Sequence, residues 1–398
     1  DSRLTTHDSR LKTLPKDLRH LPPMRIAVNT RLLLPGKLEG IGWFAHESLK
    51  RITAAHPEHQ FIYFFDRPYA GQFVHATNVT PVVIPPPTRH PFLYRIWFDG
   101  ILPRALRKHR ADAFLSPDGY LSLRTDVPQL PVIHDLNFEH FPEDLPPAYS
   151  RYYRNRFPRF AKKAARIVTV SEFSKQDIVQ TYHIPPEKID VVYNGIGSIF
   201  APLAEGERGK VRQRLTGGMP YFVCVGSLHP RKNIARLLEA FDRFAETQND
   251  AHLVIVGEAF WWDDRMKAAW KVMRHTDKVV FTGRLEQTEL HNTLADALAL
   301  VFVSYFEGFG IPVAEAMKCG VPVIAANATS LPEVAGDAAV YCDPFSVDSI
   351  REAMERMWND EALRKKLSVA GLERAANYTW DLTAEGLWAS VEKVLELR

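Results

Sequence analysis

The sequence predicts an α/β protein built as two doubly wound, parallel-sheet domains. Three observations lead there: a length of 398 residues, short runs that are apolar throughout rather than alternating, and helical periods between those runs. A chain this long suits two cores better than one. Strands covered by helices on both faces are apolar on both, so continuous apolar runs mark parallel strands. A repeated βαβ order is Rossmann-like, and ligands then bind at the carboxyl ends of the strands.

In the first half the strand candidates are residues 25–29, 61–65, 81–84, 113–116, 130–134, 166–171 and 189–193. In the second they are 221–226, 252–257, 278–282, 299–304, 321–325 and 340–342. Between them run helical periods. Ile234, Leu237, Leu238, Phe241, Phe244 and Ala245 share one stripe, with Asn233 at the expected N-cap. The break falls in 195–218, rich in Gly and charge and without apolar period. This assigns residues 24–198 to a first domain and 199–375 to a second, facing each other across a cleft. Residues 376–398 are expected to form a last helix crossing back to the first domain. Residues 1–23 are polar and basic, contain DSRL twice and end in Leu21-Pro22-Pro23. They read as an extension or tag-like tail, helical around 8–20, outside the chemistry.

Composition narrows the classes. The chain is 46% hydrophobic and 24% charged with a net charge of +3, ordinary for a soluble globular protein and too weakly basic to imply nucleic acid as a partner. Cys224, Cys319 and Cys342 show no CxxC or metal-ligand spacing, so they read as buried thiols, with no metal site. No apolar run nears the ~18 residues of a membrane span, and the N-terminus lacks the apolar core of a signal peptide. The expected location is the cytoplasm.

Four strand ends carry unusual residues. Gly40-Ile41-Gly42 follows the first strand and precedes a helix, where glycine admits a phosphate or sugar close to backbone, or simply turns the chain. His134-Asp135 ends the run 130–134; the imidazole can face a cleft and bond a sugar hydroxyl, or be a satisfied, partly buried histidine. In Gly226-Ser227-Leu228-His229-Pro230-Arg231-Lys232-Asn233, two cations precede a helix. They oppose its dipole unless an anion such as a diphosphate joins them; a solvated basic turn is the alternative. The fourth is Glu307-Gly308-Phe309-Gly310-Ile311-Pro312-Val313-Ala314-Glu315. Pro312 opens a helix where its missing N–H costs nothing. Glu307 sits at the loop mouth, and Glu315 is expected in the first helical turn. The backbone amides of Gly308–Ile311 can hold a phosphate or sugar, and a stabilising first-turn Glu would explain Glu315 alone.

Taken in order along the chain, these segments resemble those of the retaining, GT-B-fold glycosyltransferases of the glycogen-synthase and mannosyltransferase type, glycosyltransferase family 4. Glu307 and Glu315 resemble its E-x7-E motif. Gly40-Ile41-Gly42-Trp43, His134-Asp135-Leu136, Val170-Ser171-Glu172-Phe173-Ser174, Val192-Tyr193-Asn194-Gly195, Val225-Gly226-Ser227 with Arg231-Lys232-Asn233, and Pro332-Glu333-Val334 resemble its other steps. The resemblance implies roles. Arg231 and Lys232 would neutralise the leaving diphosphate, with Gly226 and Ser227 in the same loop. Glu307 and the amides of Gly308, Phe309, Gly310 and Ile311 would hold the donor sugar, and His134 would meet that sugar from the opposite domain. Glu315 would bind the ribose, and backbone near Arg284-Leu285 the base. Trp43 stands where many relatives carry Arg, which removes one further cation from the phosphate.

The expected reaction moves a hexose from a nucleotide-diphosphate sugar, GDP-mannose favoured and a UDP-hexose open, to a saccharide or lipid-linked saccharide. No metal cofactor is expected, since no DxD triplet occurs; Asp263-Asp264 is a near miss. A dinucleotide-dependent dehydrogenase would want GxGxxG after its first strand, and lacks it here. A nucleotide-sugar 2-epimerase of the same fold and a non-enzymatic sugar-binding protein stay as alternatives. Cations interleave with aromatics over Phe92–Arg110 and Tyr149–Arg166. These segments read either as a face for anionic lipid at the inner membrane surface or as core helices with solvated basic faces.

Overall fold

The computed structural model describes residues 22–88, 90–258 and 262–397; most of the tail 1–23, including the helix expected over 8–20, lies outside them. Each strand-forming run becomes a strand. In chain order they are β1 (Arg25–Asn29), β2 (Gln60–Phe65), β3 (Val79–Val83), β4 (Ala113–Ser116), β5 (Gln129–Pro131), β6 (Ile167–Thr169) and β7 (Ile189–Val191). The second series is β8 (Tyr221–Val225), β9 (His252–Val256), β10 (Val279–Gly283), β11 (Ala299–Phe302), β12 (Val323–Ala326) and β13 (Ala339–Cys342). All pairings are parallel.

The first sheet runs β3-β2-β1-β4-β5 and the second β10-β9-β8-β11-β12-β13. β6 and β7 form a separate pair, joined to the first sheet by a single bridge between Val132 and Val168. Pro81 is tolerated in β3 because that strand is an edge. Strand order reverses between β1 and β4 and between β8 and β11, so each sheet opens a crevice beyond those carboxyl ends. This is the GT-B architecture. One apolar cluster runs continuously from Ile26 and Phe44 in the first half to Val223 and Phe302 in the second. The helix Trp380–Leu395 packs on the helix Gly40–Ala55 of the first half. There Trp388 stacks on His56 at 3.8 Å and Arg51 pairs with Asp381 at 2.5 Å.

Several local expectations are corrected. β5 ends at Pro131, so His134 stands beyond the strand rather than at its last residue. Gly40 and Gly42 are not loop residues; they form the first turn of the helix Gly40–Ala55. Asn233 does not cap by its side chain. Its φ is 61° and its Nδ2 donates to Val303 O and Pro344 O, pinning the turn to the sheet. Glu315 lies one residue past the first turn, because the helix starts at Ile311. Of the two readings of Phe92–Arg110 and Tyr149–Arg166, the core one holds for most aromatics: Tyr94, Trp97, Phe98, Phe157 and Phe160 are buried, and Arg156 pairs with buried Asp99. Among the large apolar side chains of these two segments, Phe92 and Ile96 are exposed, at 66% and 38%. Among the described residues no helix is long and apolar enough to cross a membrane.

Candidate active site

β8 and β11 neighbour each other at the switch point of the second sheet, and the loops beyond them bring Arg231 and Lys232 to Glu307. Arg231 Nη1 lies 2.7 Å from Glu307 Oε2, and Lys232 Nζ lies 2.6 Å from Glu307 Oε1. The turn Pro230–Lys232 sets the cations, with the Lys232 ammonium 4.6 Å over the Phe302 ring. Gly226 lies against the Lys232 stem. Arg231 also donates to Phe306 O, while Tyr305 N donates to Arg231 O, so the two loops are stitched backbone to side chain and back.

The electrostatics follow from burial and pairing. Burial alone would raise the Glu307 carboxyl, but Arg231 and Lys232 overcome it and hold it down at about 2. Burial lowers Lys232 more than Glu307 raises it, whereas Arg231 is raised against its burial by Glu307. His229 is brought down to about 4 by burial and by the two cations, so its ring is neutral near pH 7. Two cations against one carboxylate leave one net positive charge, which suits an incoming anion. Beside them, the amides of Gly308, Phe309 and Gly310 make no hydrogen bond among the described residues.

The opposite half meets this loop directly. A side chain at Gly308 would collide with His134 O, so only glycine permits the approach. Ser174 Oγ reaches both His134 O at 3.2 Å and Gly308 O at 3.3 Å. Burial lowers the His134 pKa, and its Nε2 bonds Pro117 O at 2.8 Å. A neutral ring donating from Nε2 keeps Nδ1 as its acceptor. Gly310, at φ 95°, turns the chain into the helix Ile311–Lys318. Phe309 turns its ring into the core, against Tyr378 at 5.3 Å, so only its backbone faces the site.

Other expected site residues stand apart from the triad. The Glu315 carboxyl has no hydrogen bond or ion pair among the described residues, and burial pushes it up to about 8. Ile311 is the neighbour of Gly40 across the halves, 3.4 Å from where a Cβ would stand. Gly42 packs on Leu38, and Arg284 Nη2 donates to Leu38 O at 3.2 Å, a bond between the halves. Leu285 packs on the core, and Ser227 is exposed. No group of three or more His, Cys, Asp or Glu able to hold a metal occurs among the described residues.

Three features escaped the sequence reading. Arg31 is buried, pairs with Asp118 at 2.5 Å and lies 4.2 Å over the Tyr120 ring. Glu333 accepts from Glu172 N and Phe173 N at 2.7 and 2.9 Å, closing the N-terminus of a helix in the other half. Tyr305 donates to Asp144 at 2.5 Å. Pro332-Glu333-Val334 was a visible motif without a role; the other pairs had no local signal.

Two cations, one carboxylate and three unpaired amides thus lie together where the two parallel-sheet halves meet. The chain matches the family model for Glycosyltransferase Family 4 over residues 39–197 and that for Glycosyl transferases group 1 over 207–374. It is 29% identical over 359 residues to the O-antigen chain mannosyltransferase B of Escherichia coli, covering 86% of this chain and 93% of that one. It is 30% identical over 266 residues to the serotype-specific mannosyltransferase WbdA of Escherichia coli, covering 64% of this chain but 32% of that one. Among solved structures it is similar to a sucrose-phosphate synthase from Thermosynechococcus elongatus, with a TM-score of 0.75, 16% identity and coverage of 94% and 100%. Family models and fold agree, and the chain belongs to the GT-B-fold glycosyltransferases of family 4.

Proposed function

We propose that the protein is a retaining mannosyltransferase that uses GDP-mannose, without a metal, to extend a saccharide or lipid-linked saccharide. The observation that carries this is the triad of Arg231, Lys232 and Glu307 beside the unpaired amides of Gly308–Gly310. The mannosyltransferase relatives support the sugar. The diphosphate lies on Arg231 and Lys232, where fixed cations stabilise the charge that grows as it leaves. Glu307, released in part from its cations, and His134 Nδ1 accept from sugar hydroxyls, and Glu315 from the ribose diol. The bond from the sugar carbon to the diphosphate breaks, and a bond to the acceptor oxygen forms on the same face. The acceptor's proton passes to the departing phosphate. Phe92 and Ile96, with the basic faces behind them, support contact with the inner face of a membrane that carries the acceptor; flotation with anionic vesicles checks this.

The deciding experiment is a thermal-shift panel of GDP, UDP, ADP and their sugar conjugates, followed by transfer to a saccharide and anomer assignment by NMR. A ligand at ~100 Kd stabilises by ~2.7 kcal/mol. Stabilisation by GDP and GDP-mannose, but not by the UDP or ADP ligands, and an α-linked product are expected. Transfer with inversion would remove the same-face step, and a changed sugar released without acceptor would favour the 2-epimerase.

A further inference from the structure

The strap that follows His134-Asp135 docks onto the residues that precede Glu307. Asn137 N donates to Asp135 Oδ1 at 3.0 Å, which starts the strap from the His134 loop. His140 is held by Asp177 at 2.7 Å and stacks on Phe306 at 5.1 Å. Phe141 packs on Tyr305 at 4.6 Å, and Tyr305 Oη donates to Asp144 Oδ2 at 2.5 Å, with both residues buried. Tyr305 N in turn donates to Arg231 O, two residues before Glu307. One short path therefore links His134 in one half to Arg231 and Glu307 in the other.

We propose that Asp144 and Tyr305 are positioning residues for the transfer step. Their buried hydrogen bond holds the His134 side of the cleft in register with the loop that carries Arg231 and Glu307. Neither touches the donor in this arrangement; both act through the loops they join. A hydrogen bond to an ionised acceptor is roughly twice as strong as a neutral one, and in a closed site an error near 1 Å in register can cost about 10²-fold in rate. The proposal rests on reading the triad as the diphosphate site.

The test is donor-saturation kinetics and titration with GDP alone on Tyr305→Phe, Asp144→Ala, their double variant, Asp144→Asn and Asp381→Ala. Tyr305→Phe keeps the ring packing and decides the matter alone if Asp144→Ala does not fold. Each of these two singles should lower kcat roughly tenfold or more, with the GDP Kd held within about threefold. The double should be no worse than the worse single, since the two act through one bond. Asp144→Asn keeps an acceptor oxygen and should recover most of the rate. Asp381→Ala, which breaks an exposed ion pair between the last helix and the first half, should leave kcat unchanged. Parent kcat with a lowered melting temperature would overturn the proposal, as would additive losses or GDP affinity falling in step with kcat. A parent protein that binds no nucleoside diphosphate would instead refute the reading of the triad.

Discussion

Glu307 and Glu315 flank the same glycine turn, and their carboxyls are driven in opposite directions. Glu307 is 6% exposed, yet two cations hold it at about 2. Glu315 is partly buried with no partner, and rises to about 8. Burial acts the same way on both; what separates them is the charge delivered from residues 231 and 232. A pair of like groups pushed apart in this way marks a division of labour in a site. The ionised one organises two cations, and the other is held protonated near pH 7 by burial alone.

The comparison breaks first at Glu307. Glu307→Ala should lower kcat about 10²-fold or more and cost about 3–5 kcal/mol of stability, because buried Lys232 and half-buried Arg231 lose their shared partner. Donor-saturation kinetics and denaturant unfolding measure the two effects, and a variant that transfers sugar at the parent kcat sinks the role. Arg231→Ala should follow with a similar but smaller loss of kcat, since Lys232 still faces Glu307 and the diphosphate. Glu315→Ala should raise the donor KM about tenfold with little change in kcat, as expected for a contact equal in ground and transition states. Its stability should hold or rise, since an unpaired, partly buried carboxyl is removed. A loss of kcat equal to that of Glu307→Ala would erase the distinction.

Stability against pH sharpens the contrast. The Glu307 pKa falls from 4.5 to about 2 on folding, so its contribution is present above 4.5 and lost as pH falls toward 2. The Glu315 pKa rises from 4.5 to about 8. Between those values the folded state holds a proton that the unfolded state has released, so stability declines as pH rises through the window. Unfolding curves at pH ~5 and ~8 should show that decline in the parent and not in Glu315→Gln; an equal slope in both would assign it elsewhere. The smallest expected effect is none: sugar transfer should proceed unchanged in EDTA. A loss restored by magnesium or manganese would remove the cations from their place on the diphosphate.

From the sequence alone came the α/β class, the strands and the loops where chemistry gathers. Apolar runs such as those of β8 and β9, the helical stripe from Ile234, and Pro312 after Gly310 are properties of neighbouring residues, so they can be read along the chain. The element edges were less legible. His134 left its strand because the chain turns from the first sheet to meet Val168, a residue far along the chain. For Tyr94, Trp97 and Phe157 the sequence left lipid face and core both open, because an amphipathic pattern does not say which side is covered. Tertiary structure alone decided which carboxylate meets the cations, since Lys232 and Glu307 are 75 residues apart, and that Tyr305 meets Asp144 across the cleft. Those pairings depend on how two sheets are set against each other, and pairing and burial together govern the charge of a buried group.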